Sequence, residues 1–231
     1  MKTTLIVATG IASLSLSLMA FAQDEGTTEK LATAPEGALE FVTAVGYSQG
    51  FGGISDARVA GLRDLGGAGF ATQIGVGYRL DPRFMFGVYT EFGNYSRGDG
   101  APGGSNVQGM AAGVHAQYHF MPFNRLDPWV GLGTGWRGYW VKNDNLPTHS
   151  LHGIDFVRAQ VGMSYQIAPW LNLGPVVGAS VTMFFSEKRP YQSEFAVVDN
   201  PRVNTFVSAG IGGRFDIGGK RVTMERQMAQ Q

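Results

Sequence analysis

The chain has 231 residues, 34 of them glycine, with no cysteine, 16% charged residues and a formal net charge of zero. Without cysteine there are no disulfides, no thiolate metal sites, no cysteine nucleophile and no lipid-modified N-terminal cysteine. A neutral chain this poor in charge lacks the clustered basic surface that nucleic acid requires, and no nucleic-acid partner is expected.

Residues 1–22 read as a signal peptide. Lys2 gives a positive start, Leu5 to Met19 a short apolar core diluted by Ser and Thr, and Ala20-Phe21-Ala22 a small-x-small cleavage pattern. The apolar core is too short for a membrane anchor. Residues 23–37 are polar and short and read as a flexible periplasmic lead-in.

From residue 38 one pattern recurs eight times: about ten residues, apolar or aromatic at every second position, with Gly, Ala, Gln or an occasional charge between. Period-two alternation gives a strand one apolar and one polar face. Leu39, Phe41, Thr43, Val45 and Tyr47 mark the first strand. Phe70, Thr72, Ile74, Val76, Tyr78 and Leu80 mark the second, and Phe84, Phe86, Val88 and Phe92 the third. The fourth carries Met110 to Phe120 and the fifth Val130 to Trp140. The sixth runs through Val157 to Tyr165, the seventh through Leu171 to Phe185, and the eighth through Val203 to Ile217. Asp81-Pro82-Arg83, Met121 to Asp127 and Ala168-Pro169-Trp170 make short connections; Gln49–Gly67, Ser96–Asn106, Lys142–His152 and Glu187–Pro201 make long ones. After signal cleavage no apolar run reaches the ~20 residues of a membrane helix. The reading is an all-β, eight-stranded antiparallel up-and-down transmembrane β-barrel over 38–217, with residues 218–231 a short periplasmic tail.

A lipocalin-type soluble barrel would turn the apolar face inward and leave an outer face of Gly, Ala, Gln and Ser; soluble surfaces instead carry abundant charge. The apolar face is therefore expected to meet lipid. Its large rings fall near strand ends as an aromatic girdle: Tyr78, Phe84, Phe120 and Tyr165 on the turn side, and Tyr47, Trp136, Trp140, Phe156 and Phe185 toward the loops. Seven ionisable residues take the inward phase: Glu40, Arg79, Glu91, Arg137, Arg158, Arg214 and Asp216. Charges in a narrow lumen must pair. Glu91, mid-strand, is expected to be the hub that the four arginines share, in a static salt-bridged core; the alternative is a salt-bridged plug that acts as a gate.

Other constellations are weaker. His115, Gln117 and His119 share a face, but no third ligand is evident; His149 and His152 fall in the third loop. No metal or other cofactor is expected. Thr148-His149-Ser150-Leu151-His152 resembles a Ser/His site in composition only, with no acid partner to place. Arg97-Gly98-Asp99 is a chance tripeptide of a Gly-rich loop.

With signal peptide, eight amphipathic strands, tight turns on one side and long loops on the other, the chain resembles the small outer-membrane β-barrel proteins of Gram-negative bacteria, the group of OmpA's membrane domain, OmpX and OmpW. The resemblance covers 38 to about 217 and is one of pattern. It implies residence in the cell outer membrane, contact with outer-membrane lipid and lipopolysaccharide, and folding by the barrel assembly machinery. Such barrels serve as structural elements, surface-contact proteins or narrow channels. The expected role is non-enzymatic and structural or surface-contacting, with a filled lumen; the sequence names no extracellular ligand. The alternative is a passive channel for small solutes or apolar molecules, if the inward glycines leave room beside Tyr89, Tyr95 and Tyr139. A lipid A-modifying enzyme and a soluble lipocalin-like binder rank below both. One departure stands out: such barrels finish on an aromatic residue, whereas here Gly218–Gln231 trails after Phe215 and Ile217, with Lys220, Arg221 and Arg226 to solvate it.

Overall fold

The computed structural model describes residues 33–56 and 61–223. The signal peptide expected over residues 1–22, most of the expected lead-in, residues 57–60 and the end of the tail lie outside the described residues. In chain order the strands are β1 (Ala34–Glu36), β2 (Ala38–Phe51), β3 (Gly66–Arg79), β4 (Phe84–Arg97), β5 (Asn106–His119), β6 (Leu126–Asn143), β7 (Leu146–Ala168), β8 (Leu171–Lys188), β9 (Ala196–Val197), β10 (Val203–Ile217) and β11 (Lys220–Val222). One helical turn, Leu62–Leu65, lies between β2 and β3.

Among the described residues, eight long strands pair antiparallel with their neighbours in the order β10-β2-β3-β4-β5-β6-β7-β8, and β10 also pairs with β8. The sheet therefore closes, and no edge carries a row of unpaired backbone groups. Closure follows the alternation. Glu40 faces Gly77 and Asp216 across two strand pairs, so polar and small residues stay in phase around the ring.

The two faces are the reverse of a water-soluble barrel. Outside stand Ile211 at 63% exposure, Leu132 at 59% and Val88 at 57%, while inside Arg79 is 0% and Arg137 1% exposed. An apolar wall that runs around the whole circumference far exceeds the isolated patches a soluble monomer tolerates. Among the described residues no helix is long and apolar enough to cross a membrane.

The short connections gather at one end. Asp81 Oδ1 accepts the N–H groups of Arg83 (2.7 Å) and Phe84 (3.0 Å), closing the first. The lead-in is not loose throughout: β1 pairs with β11, Ala34 opposite Val222. Gly218 (φ +72°) and Gly219 (φ +71°) turn the chain from β10 into β11, a backbone path that side chains disfavour. Phe123, on the turn between β5 and β6, is buried against Ala34 and Val222 and seals that end.

The loop end departs from the expected plan in one place. Lys142–His152 is not a long loop. β6 runs to Asn143 and β7 starts at Leu146, so only Asp144 and Asn145 connect them. Asn143 Oδ1 accepts the Asn145 N–H at 3.0 Å and holds the turn. Trp140 opposite Ser150 and Tyr139 opposite Leu151 continue the ladder, so the hairpin prolongs the wall. Register shifts at Gly133/Gly135 and Val141/Asn143 accommodate it.

Candidate functional site

The interior consists of two ionic layers and an apolar cap. The layer near the short turns is built on Glu40, whose Oε2 accepts from Arg79 Nε (2.8 Å) and Nη2 (2.6 Å). Arg79 also donates to the Pro82 carbonyl at 2.8 Å. Arg214 lies 3.8 Å from Glu40, 3.6 Å from Asp127 and 3.9 Å from Asp216. His119 Nδ1 sits 2.6 Å from Asp127 Oδ2, and Arg221 reaches Asp216 at 3.6 Å. Three carboxylates thus meet three guanidinium groups.

The second layer, toward the loops, is built on Arg137. Its Nε and Nη2 donate to the two Asp155 oxygens, both at 2.8 Å, a fork-to-fork pair. Thr182 donates its hydroxyl to Asp155 as well. Glu91 accepts from Arg158 at 2.5 Å and lies 3.5 Å from Arg137. Arg158 and Gln160 both donate to Gln73 Oε1, at 2.8 and 2.9 Å. Arg158 lies over the Tyr89 ring, 4.7 Å from its centroid, and Tyr89 stacks on His115 at 5.7 Å. Two carboxylates here face two guanidiniums, so this layer is also neutral.

All seven inward charges read from the sequence lie in these layers, but they do not share one hub. Glu91 meets Arg137 and Arg158 only; Arg79 and Arg214 stand with Glu40. Three further charges were not legible. Asp155 escapes the period-two phase because β7 shifts register between Asp155 and Val157. The sequence carries a signal for this: Phe156 and Val157 are consecutive apolar residues, which strict alternation cannot both turn outward, and the bulge leaves both exposed. Asp127 falls in an expected connection but is buried in β6, and Arg221, expected to solvate the tail, reaches Asp216 from β11.

Above the second layer an apolar cap closes the loop end. Ile54, Leu62, Tyr95, Tyr139, Leu151, Phe184 and Phe206 pack in one buried cluster. Arg137 lies 4.1 Å from the Phe206 ring centroid, which ties cap to ionic layer. Beside Tyr95 and Tyr139 the space of the neighbouring inward glycines is taken up by the rings. A Cβ on Gly93 would fall 2.7 Å from the Tyr95 ring, and one on Gly66 would overlap the Tyr139 hydroxyl at 2.0 Å. Each ring occupies the space its glycine concedes. Gly93→Val should therefore cost about 1–3 kcal/mol by overpacking, whereas Gly103→Ala, in open space, should stay within about 0.5 kcal/mol of wild type; urea unfolding in lipid vesicles measures both.

The aromatic residues near the strand ends point outward. Tyr78, Phe84, Phe120 and Tyr165 are exposed on the turn side, and Tyr47, Trp136, Phe156 and Phe185 toward the loops. Trp140 is half-buried, its ring 6.0 Å from Trp136 and 5.7 Å from His152.

Ser150 pairs with Trp140 and His149 with Val141, so these two alternate between faces, whereas His152, opposite Gly138, keeps the phase of Ser150 and stacks on Trp136 at 5.5 Å. His149 Nε2 instead lies 2.6 Å from Glu187 Oε1. His115 stacks on Tyr89 and His119 sits with Asp127; among the described residues no group of three or more His, Cys, Asp or Glu is placed to hold a metal ion. Gly98 of the Arg97-Gly98-Asp99 tripeptide is pinned, its N–H donating to the Leu65 carbonyl at 3.1 Å.

Among solved structures the chain is similar to the crystal structure of Neisserial surface protein A: 17% identity, 79% of this chain and 100% of that chain covered, TM-score 0.52. The fold is that of the small eight-stranded outer-membrane barrels. Weaker likenesses are to OprG of Pseudomonas aeruginosa (12% identity, 79% and 97% covered, TM-score 0.46) and to AlkL determined in lipid bilayers (16% identity, 86% and 99% covered, TM-score 0.47). No family model matches the sequence, and no curated protein matches it.

Proposed function

We propose that this chain is a non-enzymatic protein of the outer membrane, a stable barrel with a filled lumen that supports the envelope and presents its rim and loops to the outside. The observation that carries this reading is the interior: two charge-neutral layers of buried ion pairs beneath an apolar cap, with a short β1–β11 sheet and Phe123 at the other end. The interior cavities, of about 30, 20 and 10 Å³, hold no more than a water or two each. A solute would have to break buried ion pairs to pass, and leaving a buried charge unpaired costs about 3–5 kcal/mol.

The apolar outer wall and its two sets of outward rings support insertion in lipid, with the girdle at the headgroup levels. The signal-peptide pattern supports export and cleavage after Ala22, and the closed-barrel fold supports folding by the barrel assembly machinery. The discriminating experiment is electrical. Purified barrel inserted into planar bilayers is expected to give no current steps above the bare membrane; discrete, reproducible steps would make it a channel instead.

A further inference from the structure

The outer wall of β4, β5 and β6 near the loops differs from the rest of the circumference. On each of these strands polarity changes in two-residue steps, so the changing side chains stay on one face. Phe92 pairs with Met110; one step outward Asn94 pairs with Gln108, and Gln108 with Trp140; one step further Lys142 pairs with Asn106. In the same row β2 and β3 carry Tyr47 and Phe70, which are rings and no amides. The three polar side chains form a chain. Lys142 Nζ donates to Gln108 Oε1 at 2.7 Å, and Gln108 Nε2 donates to Asn94 Oδ1 at 3.5 Å. Among the described residues Lys142 has no carboxylate within salt-bridge distance; its ammonium donates to the Gln108 amide instead.

These residues line a groove of about 350 Å³ on the outside of the barrel. Gly138, opposite Met110, keeps its neighbour strand flat where the Trp136 and Trp140 rings close over it; a Cβ there would meet them at 2.7 and 2.4 Å. We propose that this groove seats an anionic lipid of the surrounding membrane, one whose phosphate charge is not balanced by a cation of its own. The acyl chain lies along Phe92 and Met110, the Asn94 and Gln108 amides meet the polar backbone of the lipid, and the Lys142 ammonium meets its phosphate. Apolar, amide and cationic groups follow one another outward in the order in which such a lipid presents chain, linkage and phosphate, and an exposed ammonium beyond the amides, with no carboxylate partner among the described residues, supplies the complementarity. Free phosphate offers nothing to Phe92 and Met110 and is not the occupant. The inference rests on the membrane reading given above.

The test is native mass spectrometry of the full-length barrel released from membrane into detergent and offered bisphosphorylated lipid A, phosphatidylcholine or inorganic phosphate. Wild type should retain one lipid A; Lys142→Gln should weaken retention about tenfold, the loss of one charge-assisted contact. Gln108→Leu should weaken it less, and phosphatidylcholine should be held no better by wild type than by Lys142→Gln. Equal lipid A retention by wild type and Lys142→Gln overturns the proposal, and so does displacement of lipid A by millimolar phosphate. Lys142 is exposed, and a heat-dependent gel shift verifies that each variant is folded. A barrel that shows that shift but no lipid preference removes the site alone. A wild-type chain that never inserts removes the membrane reading beneath it.

Discussion

Arg137→Met should lower the unfolding free energy by about 3–5 kcal/mol, the cost of leaving a buried ion pair without its partner. Arg137 is 1% exposed and alone spans Asp155, Glu91 and Ser180. Methionine fills most of its volume, so the loss reports charge and hydrogen bonding more than packing. What remains is a layer with two carboxylates against Arg158 alone. A second change then has a defined sign: Asp155→Asn in the Arg137→Met background should recover part of the loss, because it removes the stranded charge and keeps an acceptor for Thr182. Urea titration in phospholipid vesicles, followed by tryptophan fluorescence, reads both. If the double variant is no better than the single one, the ionic layer is not governed by charge balance.

Phe206→Ala should cost a similar amount, about 3–5 kcal/mol, for a different reason. Phe206 is 3% exposed and lies at the centre of the cap, with Tyr139 at 6.2 Å, Phe184 at 6.4 Å and the Arg137 guanidinium at 4.1 Å. Its removal leaves a void that the closed strands cannot collapse. The barrel should nevertheless remain electrically silent, since the Glu91–Arg158 and Arg137–Asp155 pairs lie beneath. The two changes should not add: Arg137 and Phe206 touch, so a double-mutant cycle should return a coupling of at least about 0.5 kcal/mol. Additive losses would mean that cap and ionic layer are independent.

Much of this architecture can be read in the sequence because a closed barrel has few local exceptions. In β3 the alternation of Ala71, Gln73 and Arg79 with Phe70, Ile74 and Tyr78 assigns faces without any knowledge of partners, and the structure keeps every one of those assignments. The failures arise where the period is interrupted. Asn143, Asp144, Asn145 and Pro147 carry turn chemistry, and this hides the fact that Trp140, Val141 and Leu151 on either side continue the ladder. The bulge after Asp155 inverts the inward phase of β7, and so a carboxylate central to the lumen was invisible to a strict period-two reading. Which arginine meets which carboxylate depends on the stagger of the strands around the barrel. Arg79 and Arg137 are both simply inward in sequence, yet one reaches Glu40 and the other Asp155. The glycines mislead in a similar way: Gly93 and Gly66 look like empty space until Tyr95 and Tyr139 are seen to fill it.

A closed barrel with an apolar outside and an ionic inside belongs in a membrane. Cold and boiled electrophoretic migration of the protein from an outer-membrane fraction, with far-ultraviolet circular dichroism on the same sample, tests it most directly. A β-type spectrum and a heat-dependent mobility shift are expected. A chain found soluble in the periplasm, with one mobility before and after boiling, would contradict it and turn the apolar wall inward.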